Sequence, residues 1–206
     1  NHPAIDQVVV VIGEGQEGRL AAAIGQVTNV IGGATRRDSV RAGLESLNSA
    51  GQVDIVLIHD AARPFLGAGV IDRLIAAIGE SDGAIPVVPV ADTLARGMEQ
   101  LGDIVPRDGL FRVQTPQACR FRAILDAHRN WPSGEEATDD AQMLRRYGGS
   151  VTLVEGDAML EKITFPADFA AAEARHAATM TSRSAIGYDV HRLEAGEELW
   201  LGGILI

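Results

Sequence analysis

The chain has 206 residues, of which 46% are hydrophobic and 22% charged, with a single cysteine, Cys119. That length suits one to two globular domains, the composition excludes an intrinsically disordered chain, and one cysteine excludes both an internal disulfide framework and a four-cysteine zinc site. A formal net charge of -10 disfavours a nucleic-acid partner, yet a local cluster of Arg and Lys could still hold a phosphorylated small molecule.

Apolar periodicity sets out the elements in chain order. Val8 to Ile12, closed by Gly13, reads as a strand buried on two faces. Val40, Leu44 and Leu47 recur at helical spacing after Asp38 or Ser39, either of which can cap the helix. Ile55 to Ile58 is a second buried strand and runs into His59 and Asp60. Ile71, Leu74, Ile75 and Ile78 predict a helix ended by Gly79. Ala84 to Val90 predicts a strand, which Pro86 and Pro89 assign to a sheet edge. Thr115, Pro116 and Gln117 form a rigid turn after Phe111 to Val113. Ile124, Leu125 and His128 mark a helix before Trp131 and Pro132, and Asp139 to Tyr147 make another, stopped by Gly148 and Gly149. Val151 to Val154 is a strand, and Pro166 opens an Ala-rich helix to about Met180. The alternation of strand and helix predicts an α/β sheet with crossover helices.

No apolar run reaches the roughly 18 residues needed to cross a bilayer, and no basic-then-apolar leader opens the chain. No membrane partner is expected, and the expected compartment is the cytoplasm. After residue 178 the composition changes. Thr179 to Ser184 reads as a polar linker, and residues 185–206 read as the start of a second domain, with strands at Ile186 to Val190, Leu199 to Leu201 and Ile204 to Ile206. A first residue that is Asn and a last residue inside an apolar stretch suggest a piece of a longer protein.

In open α/β sheets, ligands sit beyond the carboxyl ends of the strands, so polar residues there carry the chemistry. Gly32-Gly33-Ala34-Thr35 with Arg36 and Ser39 can bring backbone close to a ligand, or can be a tight turn with a helix cap. His59-Asp60-Ala61-Ala62-Arg63-Pro64 offers an Asp for a metal or a ribose hydroxyl, or an Asp-Arg surface pair. Lys162, between Leu160 and Ile163, can meet a phosphate from a partly apolar wall, or can snorkel at the surface.

In this order, together with Pro89-Val90, Asp92-Thr93, Arg107, Gly109-Leu110, Thr115-Pro116-Gln117, Thr138-Asp139-Asp140 and Val154-Glu155-Gly156, these motifs span nearly the whole chain. The chain resembles the 2-C-methyl-D-erythritol 4-phosphate cytidylyltransferases of non-mevalonate isoprenoid synthesis. The resemblance implies a Rossmann-like nucleotidyltransferase sheet with a β-arm. It also implies transfer of CMP from CTP to 2-C-methyl-D-erythritol 4-phosphate with release of pyrophosphate. By the same resemblance Gly33 and Ser39 read the cytosine, while Asp60 and Ala61 contact the nucleotide, with Asp60 beside Mg²⁺. Arg107 and Lys162 are the catalytic cations that orient methylerythritol phosphate. Thr93, Thr115 and Thr138 are further substrate contacts, and Thr93 and Arg107 lie on an arm exchanged within a homodimer.

The family opens with a strand and a Gly-rich loop, carrying an Arg and a Lys, that this sequence does not include. In the tail, Ile186-Gly187-Tyr188-Asp189-Val190-His191-Arg192-Leu193, followed by Leu201-Gly202-Gly203, resembles the opening of 2-C-methyl-D-erythritol 2,4-cyclodiphosphate synthase. That implies a fused lyase acting as a trimer, in which Asp189 and His191, two apart on one strand face, help to hold Zn²⁺. Two alternatives stand beside the fused enzyme. One is a cytidylyltransferase for another polyol phosphate such as ribitol phosphate, and the other is a non-catalytic nucleotide-binding or dimerisation remnant. Cys119, His2, His128 and His176 are read as structural residues.

Overall fold

The computed structural model describes residues 2–137 and 139–187, with 196, 198, 200, 201, 204 and 205. These fall in two units, Asn1–Phe169 and Ala170–Ile206. The first unit runs β1 (Val10–Ile12), α1 (Glu17–Ile24), β2 (Asn29–Ile31), α2 (Arg36–Ala50), β3 (Ile55–Ile58), α3 (Ala68–Ala77), β4 (Gly83–Pro89) and then a hairpin of β5 (Leu94–Gly97) and β6 (Leu101–Val105). It continues with β7 (Phe111–Val113), β8 (Gln117–Arg120), α4 (Phe121–Asn130), α5 (Asp140–Arg146) and β9 (Val151–Glu155). Helix α6 (Pro166–Thr179) follows, with Pro166 at its first position, where a missing N–H costs nothing. Two amides that precede the helix, of Thr164 and Phe165, donate to the Asp168 carboxylate.

The main sheet has the order β3-β8-β4-β7, with β9 also paired to β4. Strands β3 and β4 are both antiparallel to β8, and β9 is parallel to β4, so β3, β4 and β9 end at the same edge. Strands β1 and β2 form a separate parallel pair. The expected α/β class with crossover helices is therefore present.

The period-two pattern of β3 distributes its apolar side chains to both faces. Val56 and Ile58 join Leu44, Ile124, Leu125 and Met143 in a core beneath α2, α4 and α5. Ile55 and Leu57 face the cluster of Val70, Leu74, Ile78 and Leu160 on the α3 side. Arg120 finishes α3 by donating to the carbonyls of Ile78, Gly79 and Ser81, which lack helical partners.

Several expectations need correction. The strand of Pro86 and Pro89 is interior, since β4 pairs with β7, β8 and β9. Pro86 is tolerated because its carbonyl accepts from Gln114 in the break between β7 and β8, so its nitrogen faces a gap in the ladder, where no donor is needed. The cap of α2 is Thr35, whose Oγ1 accepts from the Asp38 amide at 3.1 Å, three residues ahead of Asp38 and four ahead of Ser39, the two caps expected. Helix α1 has no counterpart among the elements read from apolar period; none of its residues is buried, so its apolar stripe is weak. In the second unit, β10 (Trp200–Leu201) and β11 (Ile204–Leu205) fall within the strands expected at 199–201 and 204–206, and they pair antiparallel. The strand expected at Ile186 to Val190 lies mostly outside the described residues, and Ile186 and Gly187 are not in a strand. No described helix is long and apolar enough to cross a membrane.

Candidate functional site

Three loops converge on Asp60, two from the main sheet and one from the separate β1–β2 pair. The first follows β2. Gly32 and Gly33 must lack side chains here, because a Cβ on Gly32 would lie 2.6 Å from Ser39 Oγ and one on Gly33 would lie 2.4 Å from Asp38 Cβ. That closeness lets the Gly33 amide donate to Ser39 Oγ at 3.2 Å, while the Ser39 hydroxyl lies 3.4 Å from the Gly33 carbonyl. The turn delivers Arg36 as the first residue of α2.

The second loop follows β3. The Asp60 amide donates to Thr115 Oγ1 at 3.0 Å, and Thr115 Oγ1 lies 3.1 Å from His59 Nδ1. His59 Nε2 is 3.0 Å from the Arg63 carbonyl, which can only accept, so Nε2 carries the hydrogen and Nδ1 accepts from Thr115. Loss of hydration around the imidazole lowers the His59 pKa below its ordinary value, although the residue as a whole keeps contact with solvent. The uncharged ring is the form this relay needs.

The third loop follows β9 and is clipped at each step. Gly156 passes so close to Gln114 that a Cβ would lie 2.3 Å from its Oε1. Gln114 in turn accepts from the Asp157 amide at 3.0 Å and donates to the Asp157 carbonyl at 2.8 Å. Asp157 caps a short 3-10 turn, Ala158–Leu160, through the Met159 amide. Leu160 is fully buried, and its carbonyl accepts from Arg63. Glu161 pairs with Arg112 at 2.8 Å, and the Ile163 amide donates to the Ala62 carbonyl. Between these two anchors Lys162 points at Asp60, its Nζ 3.0 Å from Oδ2.

Asp60 thus has Lys162 at 3.0 Å, Arg36 Nε at 3.4 Å and Arg63 Nε at 4.0 Å. Burial tends to raise its pKa, but the bond from Lys162 and the charges of Arg36 and Lys162 outweigh this and hold the carboxyl below the usual range. Three cations surround Asp60, and even with Asp140 also paired to Arg36 at 2.8 Å a surplus of positive charge is left, which suits an anion rich in phosphate.

Of the residues expected from the sequence, Gly33, Ser39, Asp60, Ala61, Thr115 and Lys162 lie on these linked loops. Arg107 and Thr93 lie elsewhere, on the segment carrying the β5–β6 hairpin. Arg107 donates to the Ala91 carbonyl and so closes the base of the hairpin, and Thr93 is exposed. Among the described residues, no hydrogen bond or ion pair joins either of them to Asp60 or Lys162. Thr138, Asp189 and His191 lie outside the described residues. His2 and His128, read from the sequence as structural residues, both have side-chain partners: His2 bonds Asp72 at 3.2 Å and His128 bonds Asp140 at 2.9 Å. Sequence reasoning gave Arg36 and Asp140 no role, and Arg63 only that of a surface partner for Asp60, although all three stand inside quoted motifs; position within those motifs was the available signal.

Comparison with known proteins points the same way. Residues 1–177 match the family described as 2-C-methyl-D-erythritol 4-phosphate cytidylyltransferase. A protein of Rhizorhabdus wittichii named bifunctional enzyme IspD/IspF is 62% identical over 208 residues, covering 100% of this chain and 53% of the relative. One of the same name from Erythrobacter litoralis is 49% identical, covering 97% of this chain and 51% of the relative. The chain therefore spans about half the length of the curated relatives it matches. The crystal structure of 2-C-methyl-D-erythritol 4-phosphate cytidylyltransferase from Thermus thermophilus superposes with a TM-score of 0.76 at 39% identity, covering 84% of each chain.

Proposed function

Since the chain belongs to the 2-C-methyl-D-erythritol 4-phosphate cytidylyltransferase family, we propose that it transfers CMP from CTP to 2-C-methyl-D-erythritol 4-phosphate. The observation that carries this reading is the ring of Lys162, Arg36 and Arg63 around Asp60. A phosphate oxygen of the acceptor attacks the α-phosphorus of CTP, the new P–O–P bridge forms as the bond to the β-phosphate breaks, and pyrophosphate leaves. Negative charge must be gathered and oriented, so catalysis is mostly electrostatic and positional and needs no covalent nucleophile. Buried Cys119, whose thiol pKa is pushed far up by its surroundings, is unsuited to such a role in any case.

In this reading Gly33 and Ser39 meet the base, Asp60 and Ala61 meet the ribose and triphosphate, and Lys162 orients the acceptor phosphate. Thr115 holds the Asp60 loop in place through the Asp60 amide and His59, and Thr138 adds a substrate contact. Mg²⁺ would be held by Asp60 with nucleotide phosphates. A single half-buried carboxylate fits this ion, which is usually bound by one or two carboxylates together with phosphates and water. Bound there, it neutralises charge on the triphosphate.

Thr93 and Arg107 complete a partner's site if the hairpin is exchanged within a homodimer. Support comes from its exposed apolar side chains Met98, Leu101 and Ile104. The names of the curated relatives support a second activity: residues 185–206, after a linker at 179–184, open a cyclodiphosphate synthase domain that assembles as a trimer and binds Zn²⁺ through Asp189 and His191. The whole acts in the cytoplasm. The test is direct. The full-length protein to which these residues belong, incubated with CTP, Mg²⁺ and methylerythritol phosphate, should release pyrophosphate and form a cytidine diphosphate ester visible by ³¹P NMR, with ribitol 5-phosphate as the comparison acceptor. No ester from methylerythritol phosphate, or a better yield from ribitol phosphate, would overturn the reading.

A further inference from the structure

Arg36 stands between two carboxylates. Its Nη2 donates to Asp140 Oδ2 at 2.8 Å, while its Nε lies a longer 3.4 Å from Asp60 Oδ1. Asp140, the first residue of α5, has a side chain only 1% exposed. Its second oxygen accepts from Nε2 of His128, on α4, at 2.9 Å, and the His128 side chain is 0% exposed. Among the described residues, the other ring nitrogen of His128 has no hydrogen-bond partner. Within them the imidazole makes one side-chain hydrogen bond, and it goes to Asp140.

This arrangement is costly. A buried carboxylate and a buried imidazole each lose hydration, and apolar side chains of similar volume often give equal or better stability. The relay does not end in the core, however. It ends on a guanidinium whose side chain is 36% exposed and which reaches the carboxylate at the centre of the site.

We propose that Asp140 and His128 are positioning residues for Arg36, acting through it on the transfer reaction. An Arg at the first position of a helix has a long stem with many rotamers. Clamping one end of its planar fork to a fixed carboxylate removes that freedom before substrate arrives. His128 keeps Asp140 from turning by holding the oxygen that Arg36 does not use. Both anchors sit on helices whose other side chains, Ile124, Leu125, Met143 and Leu144, pack into the core, so the reference frame is rigid. Arg36 then presents a fixed charge to Asp60 and to the nucleotide phosphates. This inference rests on the proposed cytidylyl transfer.

The test uses the full-length protein to which these residues belong and two independent readouts. In the unliganded protein, the Arg36 Nε–H resonance, assigned by its loss in Arg36→Ala, should be sharp and slow to exchange. It should persist in His128→Gln, whose amide can still donate to Asp140, and broaden in His128→Leu. With CTP, Mg²⁺ and methylerythritol phosphate, His128→Leu and Asp140→Asn should lower kcat by roughly 10- to 100-fold, with KM for CTP changed by less than about threefold. His128→Gln should restore most of the rate. In an Arg36→Ala background, neither change should lower kcat further.

Losses that multiply with Arg36→Ala, no difference between His128→Gln and His128→Leu, or an Arg36 resonance unmoved in His128→Leu would each overturn positioning through Arg36. If the parent chain forms no ester, the parent reading fails, and the resonance still decides whether His128 and Asp140 hold Arg36. Circular dichroism on each variant separates loss of fold from loss of position.

Discussion

Lys162 Nζ donates to Asp60 Oδ2 across 3.0 Å, tying the loop after β9 to the loop after β3 over a separation of 102 residues. The Lys162 side chain is 46% exposed. At that exposure the pair contributes at most about 1 kcal/mol to folding. A cation lost from a transition state costs more, about 3 kcal/mol, or about 100-fold in rate. Lys162→Ala should therefore lower cytidylyl transfer by about 100-fold while shifting the thermal midpoint by only a few degrees. Turnover near that of the parent would make Lys162 an ordinary surface side chain.

The same pair sets a pH dependence. Asp60 titrates below its ordinary value because Lys162 and Arg36 outweigh the opposing effect of burial. Its folded pKa is thus below its unfolded one, so its contribution to stability is present above the ordinary carboxylate value of about 3.9 and is lost as pH falls through the folded value. Lys162→Ala removes one source of lowering and leaves burial in place. The carboxyl carbon of Asp60, followed by ¹³C NMR, should titrate at higher pH in that variant. An unchanged midpoint would show that Arg36 alone holds the carboxylate.

His59 works in the opposite charge state. Dehydration depresses its pKa, so the unfolded chain takes up a proton before the folded one does. Stability from the neutral ring is full above the ordinary value of about 6.5 and falls as pH drops through the folded value. Urea denaturation between pH 7 and pH 5 should show that decline in the parent and a flatter profile in His59→Gln. Equal slopes would place the pH sensitivity elsewhere.

Much of this was legible because apolar period reports burial directly. The runs at Ile55 to Ile58 and Val151 to Val154 became β3 and β9 almost to the residue. Pro86 misled because a ladder can break beside an interior proline, and that break depends on how β7 and β8 are placed, which no local pattern encodes. The loops of Asp60 and Lys162 were found through their motifs. The Arg36–Asp140–His128 relay was not, since Arg36 and Asp140 are 104 residues apart and a histidine on an apolar helix face reads as core.

The clip beneath Lys162 predicts a separate effect. A Cβ on Gly156 would lie 2.3 Å from Gln114 Oε1 and 3.0 Å from the Val87 carbonyl, and the latter, being backbone, cannot move aside. Gly156→Ala should force Gln114 off Asp157 and destabilise the chain by about 1 to 3 kcal/mol, measured by urea denaturation. It should also lower transfer, because the 3-10 turn that carries Lys162 loses its anchor. Full stability in this variant would mean that the backbone yields more easily than β4 pairing suggests.

The last prediction concerns the hairpin. Arg107 and Thr93 belong to the segment around β5 and β6, and neither bonds to the Asp60 cluster within the described residues. Two geometries could bring Arg107 to the acceptor phosphate: the hairpin folds back on its own chain, or it reaches into a second copy. Its exposed Met98, Leu101 and Ile104 favour the second, because a lone two-stranded ribbon with an apolar surface is poorly stable in water. In a symmetric homodimer each site then takes Lys162 from one subunit and Arg107 from the other. Arg107→Ala and Lys162→Ala homodimers should both be slow. A heterodimer of the two, purified by distinct tags, carries both defects in one site and neither in the other, so it should recover about half the parent rate, measured as pyrophosphate release. If the hairpin served its own chain, each site would keep one defect and no rate would return. A verified heterodimer as slow as its parents would therefore remove the hairpin from the partner's site and leave the reach of Arg107 within one chain.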